Sequence, residues 1–578
     1  MATVYIKSTG TKTSGASAAD VWSDSNCYPY TSIDTALNVA EGSSPAVMVF
    51  EDETIVLPEQ ISLNTYNPAG GTLLTLESRS GGTIWKPANA TTRILAKNAD
   101  TTVAPSFAIK NITFDGSNVT WSADDSLILF SQDTAAVTLE GCKWQNFTLS
   151  GSSANPPLFR FVPNAAKGTV TMTSCRVENI NLSSTDNDGL FQTETGGGFG
   201  HDWVISAFTA NNITMAASSG SSQGIFFHTS SGTLEISNLF STTARMSNTS
   251  SNNSLAGIVK GEGTVGEVTI DTFIVDDYEF STATSSSQGL FYINGVGTVK
   301  NGIVTNCHRR NNTTGNCVGL LAISAAGNGN VLVQDCQVSN CHGFYGMGGY
   351  NTNGGTIVCE RVQVFNVSDG YGVGDSGQDM EGLAFYSGGD GDTTWTSCLV
   401  KNVRGRSRYG KGVFAHHQDR TSDAAKTVTI RNCTFTDIEG FGEDATACEF
   451  KSGYVGGTVT YVIDNCLFDN GIYDIKFNET NGTLNATMRN CHVTSGGSAI
   501  FESVTTGTVI TNTPNSGDPE LDEENIPQNI DVYEGGLKWW SGLGPEGADK
   551  EPFPNMYISV GAKQNKNATF HPKVLFAA

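Results

Sequence analysis

The residues best equipped for chemistry gather between 345 and 420. Asp379 and Glu381 stand just before Gly382, and His416 and Asp419 follow in the next polar stretch. Two carboxylates can divide general-acid and general-base work at a glycosidic bond, and a His or Tyr can abstract a proton in a lyase reaction. These four are the catalytic candidates. Tyr350 and Tyr386 offer flat faces for a sugar ring, and Arg408 and Arg420 offer cations, so these four are the candidates for holding substrate. The segments around them, such as "SDGYGVGDSGQDMEG", "RGRSRYGKG" and "HHQDRTSD", are long and polar, and long loops on a rigid scaffold are where function concentrates. The bland alternative is a solvated face, with Glu381 and Lys411 as an exposed ion pair worth under about 1 kcal/mol.

A repeat must position them. A small or apolar residue, any residue, Val, Phe or Trp, any residue, then Asn recurs along the chain. It is seen in Cys142-Lys-Trp-Gln-Asn146, Cys175-Arg-Val-Glu-Asn179, Cys336-Gln-Val-Ser-Asn340 and Cys398-Leu-Val-Lys-Asn402. With relaxed copies there are 13, their starts 25 to 36 residues apart. Such a period marks a solenoid, in which each unit buries its apolar face only against its neighbours. The first and third positions share one face of an extended strand. Asn is the non-Gly residue that best tolerates a left-handed bend. Further apolar positions flank the phrase, such as Ile430 before Cys433 and Ile438 after Asp437. No stretch between copies reads as a helix of ten residues or more. The expected fold is all-β, a right-handed single-stranded parallel β-helix of about 13 coils.

A second ladder, Gly followed by an aliphatic residue, runs between the phrases: Gly189-Leu190, Gly224-Ile225, Gly319-Leu320, Gly346-Met347, Gly382-Leu383 and Gly412-Val413. Aligning coils on it sets Glu381 beside Lys411 and puts Tyr350, Tyr386 and His416 on one column, flanked by Asp379, Asp390 and Asp419. Seven of the 13 cysteines occupy the first slot of the phrase, so they read as buried, reduced, small apolar side chains. Trp144 and Trp395 also fall in inward slots and are expected in the core.

The net charge of −24 excludes a nucleic-acid partner, because no basic cluster could neutralise phosphates. No apolar run approaches the roughly 20 residues of a membrane span. The first residues carry no basic-then-apolar leader, so no secretory route is expected. "GGDGDTTWT" at 388–396 partly resembles a calcium-binding nonapeptide, but it occurs once and lacks the required Asp. No metal and no cofactor are expected.

Three segments follow. Residues 1–60 read as an entry cap with strand Thr3–Ile6 and one short helix. Thr31 or Ser32 would start the helix, Ile33, Ala36, Leu37 and Ala40 form its apolar stripe, and Gly42 would end it. Residues 61–510 are the β-helix. Residues 511–578 form an irregular tail with Trp539 and Trp540, suited to capping or to assembly.

The order of strand, Gly loop, "YTSIDTALNVAEG" and "VMVFEDETIVLPEQISL", together with the Asn ladder, resembles the pectate-lyase-like right-handed β-helix superfamily over residues 1 to about 510. That resemblance implies a fold shared by lyases, hydrolases, epimerases, tailspikes and adhesins, and no catalytic residue carries over. The chain looks most like a bacteriophage virion appendage or decoration protein, of tailspike or fibre type, that binds host surface polysaccharide through the side of the β-helix. The expectation is a homotrimer located in the virion, contacting other virion proteins. The alternatives are a polysaccharide lyase, glycoside hydrolase or epimerase, free or extracellular, and a passive structural virion protein.

Overall fold

The computed structural model describes residues 2–516 apart from segments between or at the ends of strands, the longest being 249–255, 310–316, 370–381, 406–412 and 418–424. It is a parallel β-solenoid whose regular secondary structure, among the described residues, is almost all strand. The residues divide into two compact units between Ile270 and Asp271.

Alternation makes the strands of the first unit. In Thr169–Thr173 the buried residues are Val170 and Met172, with half-buried threonines between. This strand pairs in parallel with Ala136–Glu140 on one side and Asp202–Ala217 on the other, each inward residue meeting its counterpart: Leu139, Met172, Ile205. Equivalent coils thus stack like on like, and aromatic residues fill the interior. Trp85, Trp144 and Trp203 are fully buried. Trp144 stacks on Phe114 at 5.3 Å between ring centres. The entry strand Ala2–Ile6 joins the same ladder through Ala46–Phe50. Between them lies the one described α-helix, α1 (Ile33–Glu41), entered by a 3-10 turn at Tyr30–Ser32. Its buried residues are Ile33, Ala36, Leu37 and Ala40, the expected stripe. Gly42 lies outside the described residues.

The second unit repeats the plan. Strands Val296–Thr305, Asn330–Ser339, Thr356–Glu360, Thr393–Thr396, Ala425–Arg431 and Cys448–Asp464 form successive rungs of one parallel ladder.

The Asn of the phrase does bend the chain to the left. Asn146, Asn179, Asn212, Asn340 and Asn402 have φ between 50° and 57°. Their amides stack: Asn179 Nδ2 donates to Asn146 Oδ1 at 3.1 Å, and Asn212 Nδ2 to Asn179 Oδ1 at 2.8 Å. In the second unit Asn402 Nδ2 donates to Asn366 Oδ1 at 2.6 Å. A further left-handed residue stands just before the phrase, at Ser174, Ala207, Thr272, Arg361 and Ser397. The phrases from Cys142 to Cys433 are thus each bracketed by two left-handed bends. The first is held by coil-to-coil backbone bonds, such as Ser174 N–H to Ser206 O at 3.0 Å and Ser397 N–H to Arg431 O at 2.9 Å. That tertiary hold lets residues other than Asn and Gly adopt the conformation.

The Gly of the second ladder has the same cause at Gly382, whose φ is +65°. The aliphatic residues after it, Leu190, Ile225, Leu320, Met347 and Leu383, have no exposure. Twelve cysteines are buried and in the thiol form, without a disulfide; the side chain of Cys317 lies outside the described residues. Cys398, Cys433, Cys466 and Cys491 stack along the second unit, and Cys398 N–H donates to Cys433 Sγ at 3.4 Å.

Candidate functional site

Of the expected site residues, the structure describes the side chains of Tyr350 and Tyr386. Asp379, Glu381, Arg408, Asp419 and Arg420 lie outside the described residues, as does Lys411. For His416 the backbone is described, within strand Val413–His417.

Tyr350 and Tyr386 are brought together as expected. They are direct partners in the pairing of Gly349–Asn351 with Phe385–Ser387. Their rings stack at 4.8 Å with 17° between planes. Strand alternation sets their direction: Phe385 packs inward on Trp395 at 5.5 Å, and a Cβ on Gly349 would meet Cys359 Sγ at 2.7 Å. The tyrosines between these inward positions therefore face away from the core. They are not freely exposed. Tyr350 is 9% exposed and Tyr386 half-buried.

His416 does not join that column. The next partner of Tyr386 is Phe414, and His416 pairs with Lys451 one coil further on. The Gly ladder misplaces this coil by two residues, since Val413 pairs with Phe385 rather than with Leu383. A slip of two preserves the inward–outward alternation, so apolar pattern cannot detect it. The column runs on from Phe414 to Glu449 and Lys476. Glu449, 2% exposed, accepts a bond from Asn478 Nδ2 at 3.1 Å, with Lys476 Nζ at 3.9 Å. Neither Glu449 nor Lys476 was expected in the site. Their degenerate coils lack the Gly signature that marks the column elsewhere.

Behind Tyr386 lies a polar corner inside the coil. Ser387 shares a hydroxyl–hydroxyl bond of 2.6 Å with Thr393. The amides of Gly388 and Gly389 both donate to Asn351 O, at 2.7 and 3.3 Å. Gly391 is required here, because a Cβ would lie 1.8 Å from Gly355 O. Lys426, with no exposure, donates to Ser387 O at 3.2 Å and Gly389 O at 2.5 Å. Burial pushes its ammonium down to about 7, against the pull of Asp390 and Asp392. The segment with a partial likeness to a calcium loop thus turns one of its carbonyls, that of Gly389, onto a lysine of the same chain, beside the carbonyl of Ser387 just before it. Sequence reading passed over Lys426, yet the signal is there: two steps of two back from inward Ile430 reach Val428 and then Lys426.

Chemically, the described part of this column brings together stacked phenol rings and a carboxylate–ammonium pair, of which Tyr350 and Glu449 are themselves buried. Among the described residues no group of three or more His, Cys, Asp or Glu converges as a metal would require. Comparison with protein-family models, with curated proteins and with solved structures returns no match.

Proposed function

We propose that the chain is a polysaccharide-binding protein of a bacteriophage tailspike or fibre type, gripping host surface glycan along the side of the solenoid. The observation that carries this reading is the stacked Tyr350–Tyr386 pair, in register with Glu449 and Lys476 on later coils. Aromatic rings with a polar tip suit sugars, which present apolar faces and hydroxyl edges. A linear polymer laid along stacked coils meets the same column at every rung, roughly 4.8 Å apart, so weak contacts add up. Assembly as a homotrimer, with the tail 511–578 engaging neighbours or other virion proteins, would multiply them further.

The test is binding of purified capsular or lipopolysaccharide O-chains to the full chain and to Tyr386→Ala. Binding that falls at least about tenfold in the variant, with an unchanged melting temperature, supports the reading. Equal binding by both moves the site off this face. Shortening of the polymer during the assay would add a lyase or hydrolase activity, to be sought in the segments holding Asp379, Glu381 and Asp419.

A further inference from the structure

We propose that Lys426 is a proton-sensitive fastening for the loop 387–392 behind the tyrosine pair, such that protonation of the buried amine loosens the loop. The proposal goes beyond glycan binding and does not depend on any ligand.

The geometry carries it. The Lys426 side chain enters the coil interior and ends on the loop's own carbonyls, Ser387 O and Gly389 O. Either form of the amine can make these two bonds, since neutral NH2 keeps two N–H donors. The charged form must also be stripped of water, because the residue has no exposure and burying a charge is costly. Among the described residues the charged groups acting on it are Asp390 and Asp392, both from the loop itself. The strand partners on either side bring no charge: Lys426 pairs with Val459, and Thr393 heads the strand on the other flank. The two carboxylates do not offset the burial, and the amine is left titrating at about 7 against an ordinary 10.5.

The sign follows from linkage. When the loop opens, Lys426 meets water and regains its ordinary affinity for a proton. The open state therefore binds more protons than the closed one between pH 7 and 10.5. Closure tightens as pH rises through that window and is constant below it. Because Ser387 and Gly388 directly follow Tyr386, proton uptake would slacken the chain that carries the tyrosine platform.

The experiment is amide hydrogen exchange of the full chain from pH 6 to pH 9.5, read on peptides covering 385–393 and corrected for intrinsic rates. Wild-type protection should be flat up to about pH 7, then climb by up to about tenfold per pH unit. Lys426→Met, which keeps the volume and carries no proton, should lose the climb. Wild-type protection that stays flat from 7 to 9.5 overturns the proposal, as does a Lys426→Met curve with the wild-type slope. Should the variant fail to fold, the wild-type curve alone decides, because a lysine with its ordinary proton affinity in both the closed and the open state would give no climb at any pH. No glycan enters this readout, so its failure and that of the polysaccharide reading are separable.

Discussion

Thr243→Asn should stabilise the first unit. Thr243 occupies the bend position at which Asn146, Asn179 and Asn212 precede it, and its φ is 54°. A β-branched side chain is poorly suited to that region, and the left-handed conformation costs a non-Gly residue roughly 1–2 kcal/mol. Asn recovers part of this cost. Its amide would also stand one coil above Asn212, whose own Nδ2 already donates to Asn179 Oδ1. One more rung at a half-buried site adds roughly 0.5–1 kcal/mol, for a total of about 1–2 kcal/mol. Thr243→Gly isolates the backbone part: it relieves φ, makes no rung, and gives up some of the gain to the entropy of the unfolded chain. The assay is urea unfolding followed by tryptophan fluorescence. Trp203, fully buried on the adjacent strand, reports on this region. The expected order of midpoints is Asn above Gly and Gly at or above Thr. An Asn variant at or below wild type would refute the view that the amide stack and the left-handed bend are what favour Asn in the phrase.

The buried cysteines should be inert in the native chain. Burial holds the thiols of Cys142, Cys359, Cys433, Cys466 and Cys491 well above their usual range, so thiol titration should rise sharply only on denaturation; many reactive groups in native protein would count against this. Cys433→Asp should strand a carboxylate in the core and cost several kcal/mol, about 3 or more, read as loss of soluble folded protein, whereas Cys433→Val should be tolerated. His201 is buried and neutral, pushed down to about 4 by burial, with Nδ1 accepting from Gly168 N–H at 3.0 Å. The unfolded chain takes its proton first, so stability should be constant above pH 6.5 and fall by up to roughly 3 kcal/mol towards pH 4; His201→Gln should flatten that limb, and parallel acid curves would remove His201 from the account. Light scattering of the full chain and of a version ending at Thr511 tests the assembly proposal: a trimer that becomes a folded monomer on truncation supports it, and a monomer in both cases refutes it.

Periodicity alone determined the architecture. Side chains alternate along a strand, so Cys175, Val177 and Ile180 announce an inward face wherever their pattern recurs, and Asn179 announces the bend because few residues accept a positive φ. The entry helix was legible for the same local reason: Ile33, Ala36, Leu37 and Ala40 fall on one side of a 3.6-residue turn. The outcome at the candidate site was decided elsewhere. Tyr350 and Tyr386 could be paired because their coils share the Gly signature, but His416 was set beside them through a slip of two that leaves every inward residue inward; only the pairing of Phe385 with Val413 corrects it. The bends at Ser174, Arg361 and Ser397 have no local signature, since backbone bonds to the next coil impose them. Lys426 carries the same lesson. Its inward parity could be read from the chain, but what makes a buried ammonium tolerable is a pair of carbonyls 39 and 37 residues away in sequence, brought to it by the stacking of coils.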